Sequence, residues 1–256
     1  MFKAVVRGKS GGVRSDIQND DAVSSRIGLD IPSIREDVLS AAVFTRLSYM
    51  PANRFWQLLC SIYSNLPYRE HVELKNIEFW PTWSHPDEKR KFVEPDIFLQ
   101  FDIGDPKKSV DLIIEVKRFE TGTVQSYKQH IDQISCYFAD EEMINKGDTL
   151  YFLTLGGLGN EPEGQVEKLR QKALDQLDYE TFKTPNIGGA SWSMMSNAVS
   201  NQSKYWPETN KLLLSDLKEI LIYAGFKKRV YFSEAISPTR PNLNVKMLDV
   251  LYKKEA

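Results

Sequence analysis

Two apolar runs, Ile97-Phe98-Leu99 and Leu112-Ile113-Ile114, stand on either side of Gly104-Asp105-Pro106, and each meets charged residues at one end. Short apolar runs joined by a Gly/Asp/Pro loop make a hairpin. The spacing predicts strands over about Asp96–Phe101 and Asp111–Arg118. Side chains alternate between faces along a strand, so Glu115 and Lys117 point the same way while Leu112, Ile114 and Val116 feed a core on the other face. In an antiparallel pair the start of one strand lies opposite the end of the next, which brings Asp96 near Glu115.

The flanking segments set this hairpin in an α/β frame. Ser33-Ile34-Arg35-Glu36 is a capping box, the serine accepting from a first-turn amide while Glu36 reaches back. It opens a helix through about Tyr49, ended by Met50-Pro51. A second helix covers about Asn53–Ser64, and alternation from Val72 to about Trp80 predicts a strand, with Val72, Leu74 and Asn76 on one side. After the hairpin come a helix at about Val124–Ile144, a strand at Thr149–Leu155 closed by Gly156-Gly157-Leu158-Gly159, and a helix at about Gly164–Leu177. The expected fold is a mixed central sheet flanked by helices, its last crossover parallel. Residues 1–30, with Lys3, Arg7, Lys9 and Arg14, form a basic arm; 31–178 form the core; 179–256 form a C-terminal α/β extension packed on it. Within that extension Pro185–Gly189 and Ser191–Ser203 are expected to be a polar insertion with room for a short helix. Asn210–Ala224 is an amphipathic helix and Lys228–Phe232 a strand.

Bulk composition narrows the function classes. The chain has 256 residues, with 33 Lys+Arg against 35 Asp+Glu. A net charge of −2 excludes a histone-like cation while leaving room for a local basic groove. Two distant cysteines, Cys60 and Cys136, exclude a disulfide scaffold and a CxxC zinc site, and fit a cytoplasmic location. No apolar run reaches the roughly 18–20 residues of a membrane helix, and the N-terminal residues lack a secretory pattern.

The converging charges carry the chemistry. A carboxylate and an ammonium side by side on a strand buried on its other face lose hydration unless something binds them. Two carboxylates meeting at one point repel, and a divalent cation relieves that. Oxygen donors, with only His71, His85 and His130 as imidazoles, favour Mg²⁺ or Mn²⁺ over zinc. Lys117 would orient an attacking water or offset charge on a phosphorus centre. These residues point to metal-assisted attack on a phosphodiester.

Pro95-Asp96, an interval of 18 residues, then Glu115-Val116-Lys117 on a second strand resembles the PD-(D/E)XK nuclease superfamily. The resemblance covers about residues 33–155. It implies a restriction-endonuclease-like core, metal binding by Asp96 and Glu115, and water activation assisted by Lys117. Such families often add a glutamate on the helix preceding the sheet, a place held here by Glu36, as a third metal or water contact; Asp37 is an alternative. RecB-like members carry Q-x-x-x-Y on the helix after the lysine, and Gln133-Ile134-Ser135-Cys136-Tyr137 reproduces it. Residues four apart share a helix face, so Gln133 and Tyr137 are expected to reach a common ligand. The implied activity is Mg²⁺-dependent hydrolysis of DNA, in restriction, repair or defence, alone, as a homodimer or with partner proteins. Two expectations compete with it: a nuclease fold without catalysis, serving as a nucleic-acid-binding or assembly subunit, and a protein-interaction module using exposed aromatics near Trp192 and Trp206.

Other features have plainer readings beside functional ones. Gln133 lies off the stripe Val124, Tyr127, Ile131, Ile134 and Phe138, which leaves it solvated or at the rim of the site. His130 is expected at the surface, Asp111 as structural, and Gly156–Gly159 as a turn. Lys89-Arg90-Lys91 is a solvated run or a DNA-backbone contact. Trp80 and Trp83 are edge-of-core residues or base-stacking platforms.

Overall fold

The computed structural model describes residues 36–85, 92–119, 125–139, 146–159, 162–177, 185–202 and 208–226. The basic arm, Ser33 of the capping box, Lys89-Arg90-Lys91 and the expected strand at 228–232 lie outside the described residues. The elements are α1 (Glu36–Ser48), α2 (Ala52–Ile62), β1 (Val72–Phe79), β2 (Trp83–Ser84), β3 (Phe92–Val93), β4 (Ile97–Ile103), β5 (Lys108–Val116), α3 (Tyr127–Ala139), β6 (Thr149–Leu155), α4 (Pro162–Gln176), β7 (Asn186–Ala190), α5 (Trp192–Gln202) and α6 (Glu208–Tyr223).

Five strands form one mixed sheet in the order β1-β4-β5-β6-β7, and β2 pairs with β3 beside it. The expected hairpin is present, antiparallel, with Ile97 opposite Ile114 and Ile103 opposite Lys108. β6 joins β5 in parallel, and β7 joins β6 in parallel. The chain is therefore α/β with helices on both faces of a mixed sheet.

Period-two alternation divides the core. Ile97, Leu99, Phe101, Val110, Leu112, Ile114 and Val116 face a cluster completed by α1, α2, α5 and α6. Phe98, Ile113, Phe152 and Ile187 face the other cluster, with Ile131, Ile134 and Tyr137 of α3 and Leu169 and Ala173 of α4. Trp56 and Phe55 pack edge-on to Phe101, at 5.1 and 5.6 Å between ring centroids. Burying each such large side chain contributes about 1.5–3 kcal/mol.

β1 departs from simple alternation. Its pairing with β4 shifts register between Leu74 and Asn76, so that Leu74 faces Phe101 and Asn76 faces Gln100. This bulge puts Ile77 and Phe79 on the core side with Val72 and Leu74, and separates Asn76 from them.

The expected polar insertion at 185–203 is instead the edge strand β7 and the helix α5. Asn186-Ile187-Gly188-Gly189-Ala190 reads as a loop because of its glycines, yet those glycines answer to packing. A Cβ on Gly188 would meet Asn65 Oδ1 at 2.5 Å, and one on Gly189 would meet Val166 Cγ2 at 2.5 Å. Helices α5 and α6 then pack on α2 and α1. Trp192 at the start of α5 is fully buried.

Candidate active site

The hairpin register delivers Asp96 to the end of β5. Asp96 Oδ2 accepts from the Val116 amide at 2.7 Å, so the carboxylate is fixed by the backbone of the neighbouring strand. Glu115 projects from β5 toward α3 and is 1 % exposed. Lys117 lies just beyond the strand, its ammonium 2.9 Å from Glu115 Oε1 and 3.2 Å from Glu36 Oε1. It also donates to the Val116 carbonyl at 3.0 Å. Glu36, in the first turn of α1, accepts through Oε2 from the Arg118 amide at 2.7 Å.

The backbone of Lys117 is bonded on both sides. Its amide donates to Leu155 O on β6, and its carbonyl accepts from the Trp192 indole, each at 2.8 Å. Gly156 lies against that carbonyl: with φ +76°, it has no room for a Cβ, which would fall 2.1 Å from Lys117 O.

Two carboxamides of α3 hold Glu115 from the other side. Gln133 Nε2 donates to Oε2 and Gln129 Nε2 to Oε1, both at 2.8 Å. Gln133 is thus buried against the site and not solvated. Gln129 was not anticipated, although Gln125, Gln129, Gln133 and Tyr137 recur every four residues and so fall on one flank.

Tyr137 does not share a ligand with Gln133. Its hydroxyl donates to Asp111 Oδ2 at 2.6 Å, and Gly147 N and Gln100 Nε2 complete that buried carboxylate's partners at 2.7 and 3.2 Å. The two members of the motif meet two acids four residues apart on β5. Asp111 is structural, as expected. His130 is fully buried rather than at the surface, its Nε2 2.9 Å from Gln125 Oε1 and its ring 4.9 Å from that of Phe152. Trp80 and Trp83 are buried in the core and offer no platform to a base.

Electrostatics follow the burial. Desolvation, then the nearby Glu115 charge, pushes the Asp96 carboxyl well above the usual range, against the Val116 amide and Lys117. Desolvation likewise raises Glu115, opposed by Lys117 and Gln133. Burial works to lower Lys117, but the Glu115, Glu36 and Asp96 charges outweigh it and hold the ammonium above its ordinary value. Burial, with the Lys117 charge, lowers His130 to about 3, so its ring is neutral near pH 7.

Among the described residues no group of three or more His, Cys, Asp and Glu is disposed to hold a metal ion. Glu36 is engaged with the Lys117 ammonium and the Arg118 amide, so Asp96, Glu115 and Glu36 are not a ready-made cage. The donor chemistry of Asp96 and Glu115 alone fits Mg²⁺ or Mn²⁺, which take one or two carboxylates and complete their shells with water and phosphate oxygens. A cavity of about 340 Å³ adjoins this cluster, lined by residues including Phe92, Glu94, Lys128, Gln129 and Gln133. A larger one, about 1000 Å³, runs between α2 and α4 along β7 and includes none of the expected site residues.

No protein-family model matches the chain, and no solved structure does. The chain is similar to an uncharacterized protein, PM0110, of Pasteurella multocida (strain Pm70), with 27% identity over 194 residues, 75% of this chain and 70% of that protein. Among the described residues no helix is long and apolar enough to cross a membrane.

Proposed function

We propose that the chain is a divalent-metal-dependent nuclease of the PD-(D/E)XK type, with a restriction-endonuclease-like core, hydrolysing phosphodiester bonds of DNA in the cytoplasm. The observation that carries this reading is the meeting of Asp96, Glu115 and Lys117 at one end of an antiparallel hairpin. A strand pair with no task at that point has little reason to bury two repelling carboxylates beside an ammonium.

Asp96 and Glu115 would hold the metal, with Gln129, Gln133 and the Val116 amide fixing the two carboxylates in place. Mg²⁺ or Mn²⁺, when bound, supplies charge for a phosphate oxygen and acidifies a water. Lys117, kept protonated by its acidic neighbours, would orient water through its N–H groups and offset negative charge developing at phosphorus. Glu36 keeps Lys117 in position, and the anchored backbone of Lys117 limits how far the amine can stray.

The test is incubation of the purified chain with circular and linear DNA, single- and double-stranded, in Mg²⁺, Mn²⁺ or EDTA. Metal-dependent cleavage that disappears in Asp96→Ala and Lys117→Ala is expected. Undiminished cleavage in EDTA, or in either variant, defeats the proposal. The engagement of Glu36 with the Lys117 ammonium and the Arg118 amide supports a second reading, a nucleic-acid-binding or assembly subunit without catalysis. Calorimetry separates the two: the nuclease binds Mn²⁺ and loses that binding in Glu115→Ala, whereas the subunit binds none.

A further inference from the structure

Immediately after Lys117 the chain displays a cation and an aromatic ring from a fixed backbone. The Arg118 amide donates to Glu36 Oε2 at 2.7 Å, and the Phe119 carbonyl accepts from Gly157 N at 2.7 Å. The Arg118 guanidinium carbon lies 4.6 Å above the Phe119 ring centroid, and Phe119 is 50% exposed.

Some surface cations of the chain are paired with acids. Arg46 pairs with Asp216, Arg170 with Glu167 and Lys107 with Glu73. The Arg118 guanidinium pairs with no acid among the described residues, and its Nε is buried without an acceptor. A guanidinium that no acid neutralises is a ready donor to a phosphate or carboxylate oxygen. Beside it, Glu36, Asp96 and Glu115 set three carboxylates against the single ammonium of Lys117. Arg118 adds a second cation at this end of the sheet, where a polyanionic strand approaching the cluster would meet it. The half-exposed ring next to that cation offers a surface for stacking.

We infer that Arg118 and Phe119 form a nucleotide subsite beside the carboxylate cluster, Arg118 holding a backbone phosphate and Phe119 stacking an unpaired base. The inference rests on the proposed nuclease function and narrows its substrate to single strands or frayed ends, since a base inside a duplex cannot lie on the ring.

Binding in EDTA tests the subsite apart from cleavage. Fluorescence anisotropy would compare a labelled oligodeoxythymidine strand with a labelled blunt hairpin duplex, using the full chain. Phe119→Ala should weaken single-strand binding about tenfold and duplex binding less than about twofold, while Phe119→Trp retains the preference. Arg118→Gln should weaken binding and lower the slope of log affinity against log salt by about one, and Arg118→Lys should keep that slope. Unchanged thermal unfolding of the variants confirms that they fold. Wild-type affinity in both Phe119→Ala and Arg118→Gln overturns the subsite, as does an equal loss for strand and duplex in Phe119→Ala. Binding that responds as expected, without cleavage in Mg²⁺ or Mn²⁺, upholds the subsite and removes the catalytic reading.

Discussion

The Lys117 ammonium stands 2.9 Å from Glu115 Oε1, and the two residues are held together from outside the hairpin as much as from within it. Gln129 and Gln133 of α3 grip the carboxylate, α1 supplies Glu36 to the ammonium, and Trp192 of α5 fixes the lysine backbone. Three elements thus converge on two residues at the end of β5. Such convergence holds ionised groups in a place where water would otherwise disperse them.

A site built this way should cost stability, and Asp96→Asn exposes the cost. Asn preserves an oxygen acceptor for the Val116 amide and removes a buried charge that faces Glu115. In EDTA the variant should be more stable than the wild type by about 1 kcal/mol, a rise of about 2–4 °C in Tm. Cleavage should fall by at least about 100-fold. Differential scanning calorimetry with a plasmid-nicking assay reads both, and a variant that is less stable and still active would contradict the arrangement.

Gln133 and Tyr137 should separate on substitution although they belong to one motif. Tyr137→Phe removes one of three donors to the buried Asp111 and is expected to cost about 1–3 kcal/mol in urea unfolding while leaving turnover of the folded fraction unchanged. Gln133→Leu frees Glu115 Oε2 and is expected to weaken Mn²⁺ binding or cleavage about 10–100-fold. Equal effects of the two substitutions on turnover would restore a shared ligand.

Much of this geometry was legible because strand periodicity is rigid. Once Ile97–Leu99 and Leu112–Ile114 are set as a hairpin, Asp96, Glu115 and Lys117 have nowhere else to go. Helix α3 was legible in place, though it starts at Tyr127 and not Val124, and was misread in face: apolar periodicity selects Ile131 and Ile134 for the core, but the sheet also buries His130, Gln133 and Tyr137 because each finds a polar partner there. Strand β7 was missed because close packing by Asn65, Val166 and Thr154 demands glycine, and glycine in sequence reads as a turn. The bulge in β1 is visible only as a change of spacing between Leu74 and Ile77, and it takes the register with β4 to place it.

His130 makes the fold sensitive to mild acid. The ring titrates near 6.5 in the unfolded chain and near 3 in the fold, where burial keeps it neutral. Between those values the unfolded state binds the proton, so the stability this residue contributes is complete above the unfolded value and is lost as pH falls toward the folded one. The raised carboxyls Asp96, Asp111 and Glu115 act in the opposite sense, and comparison with a variant at each pH removes them. His130→Gln, which keeps an amide toward Gln125, should gain about 2 kcal/mol on the wild type between about pH 7.5 and about pH 5. Parallel urea midpoints for the two proteins across that interval would show instead that the ring is protonated in the fold.

Trp192 of α5 and Gly156 after β6 test how far the surroundings of the Lys117 carbonyl support the site. Trp192→Phe keeps the stacking on Phe226, whose ring lies 5.3 Å away, and deletes the indole N–H that bonds the Lys117 carbonyl. The loss should cost about 1–2 kcal/mol and loosen Lys117, lowering cleavage several-fold while Mn²⁺ affinity, set by Asp96 and Glu115, changes little. Gly156→Ala is harsher, because the added methyl collides with that same carbonyl and the backbone there is left-handed. It should destabilise by about 3 kcal/mol or more or fail to accumulate as folded protein. Activity matching wild type in Trp192→Phe would place the control of Lys117 entirely in Glu36 and Glu115.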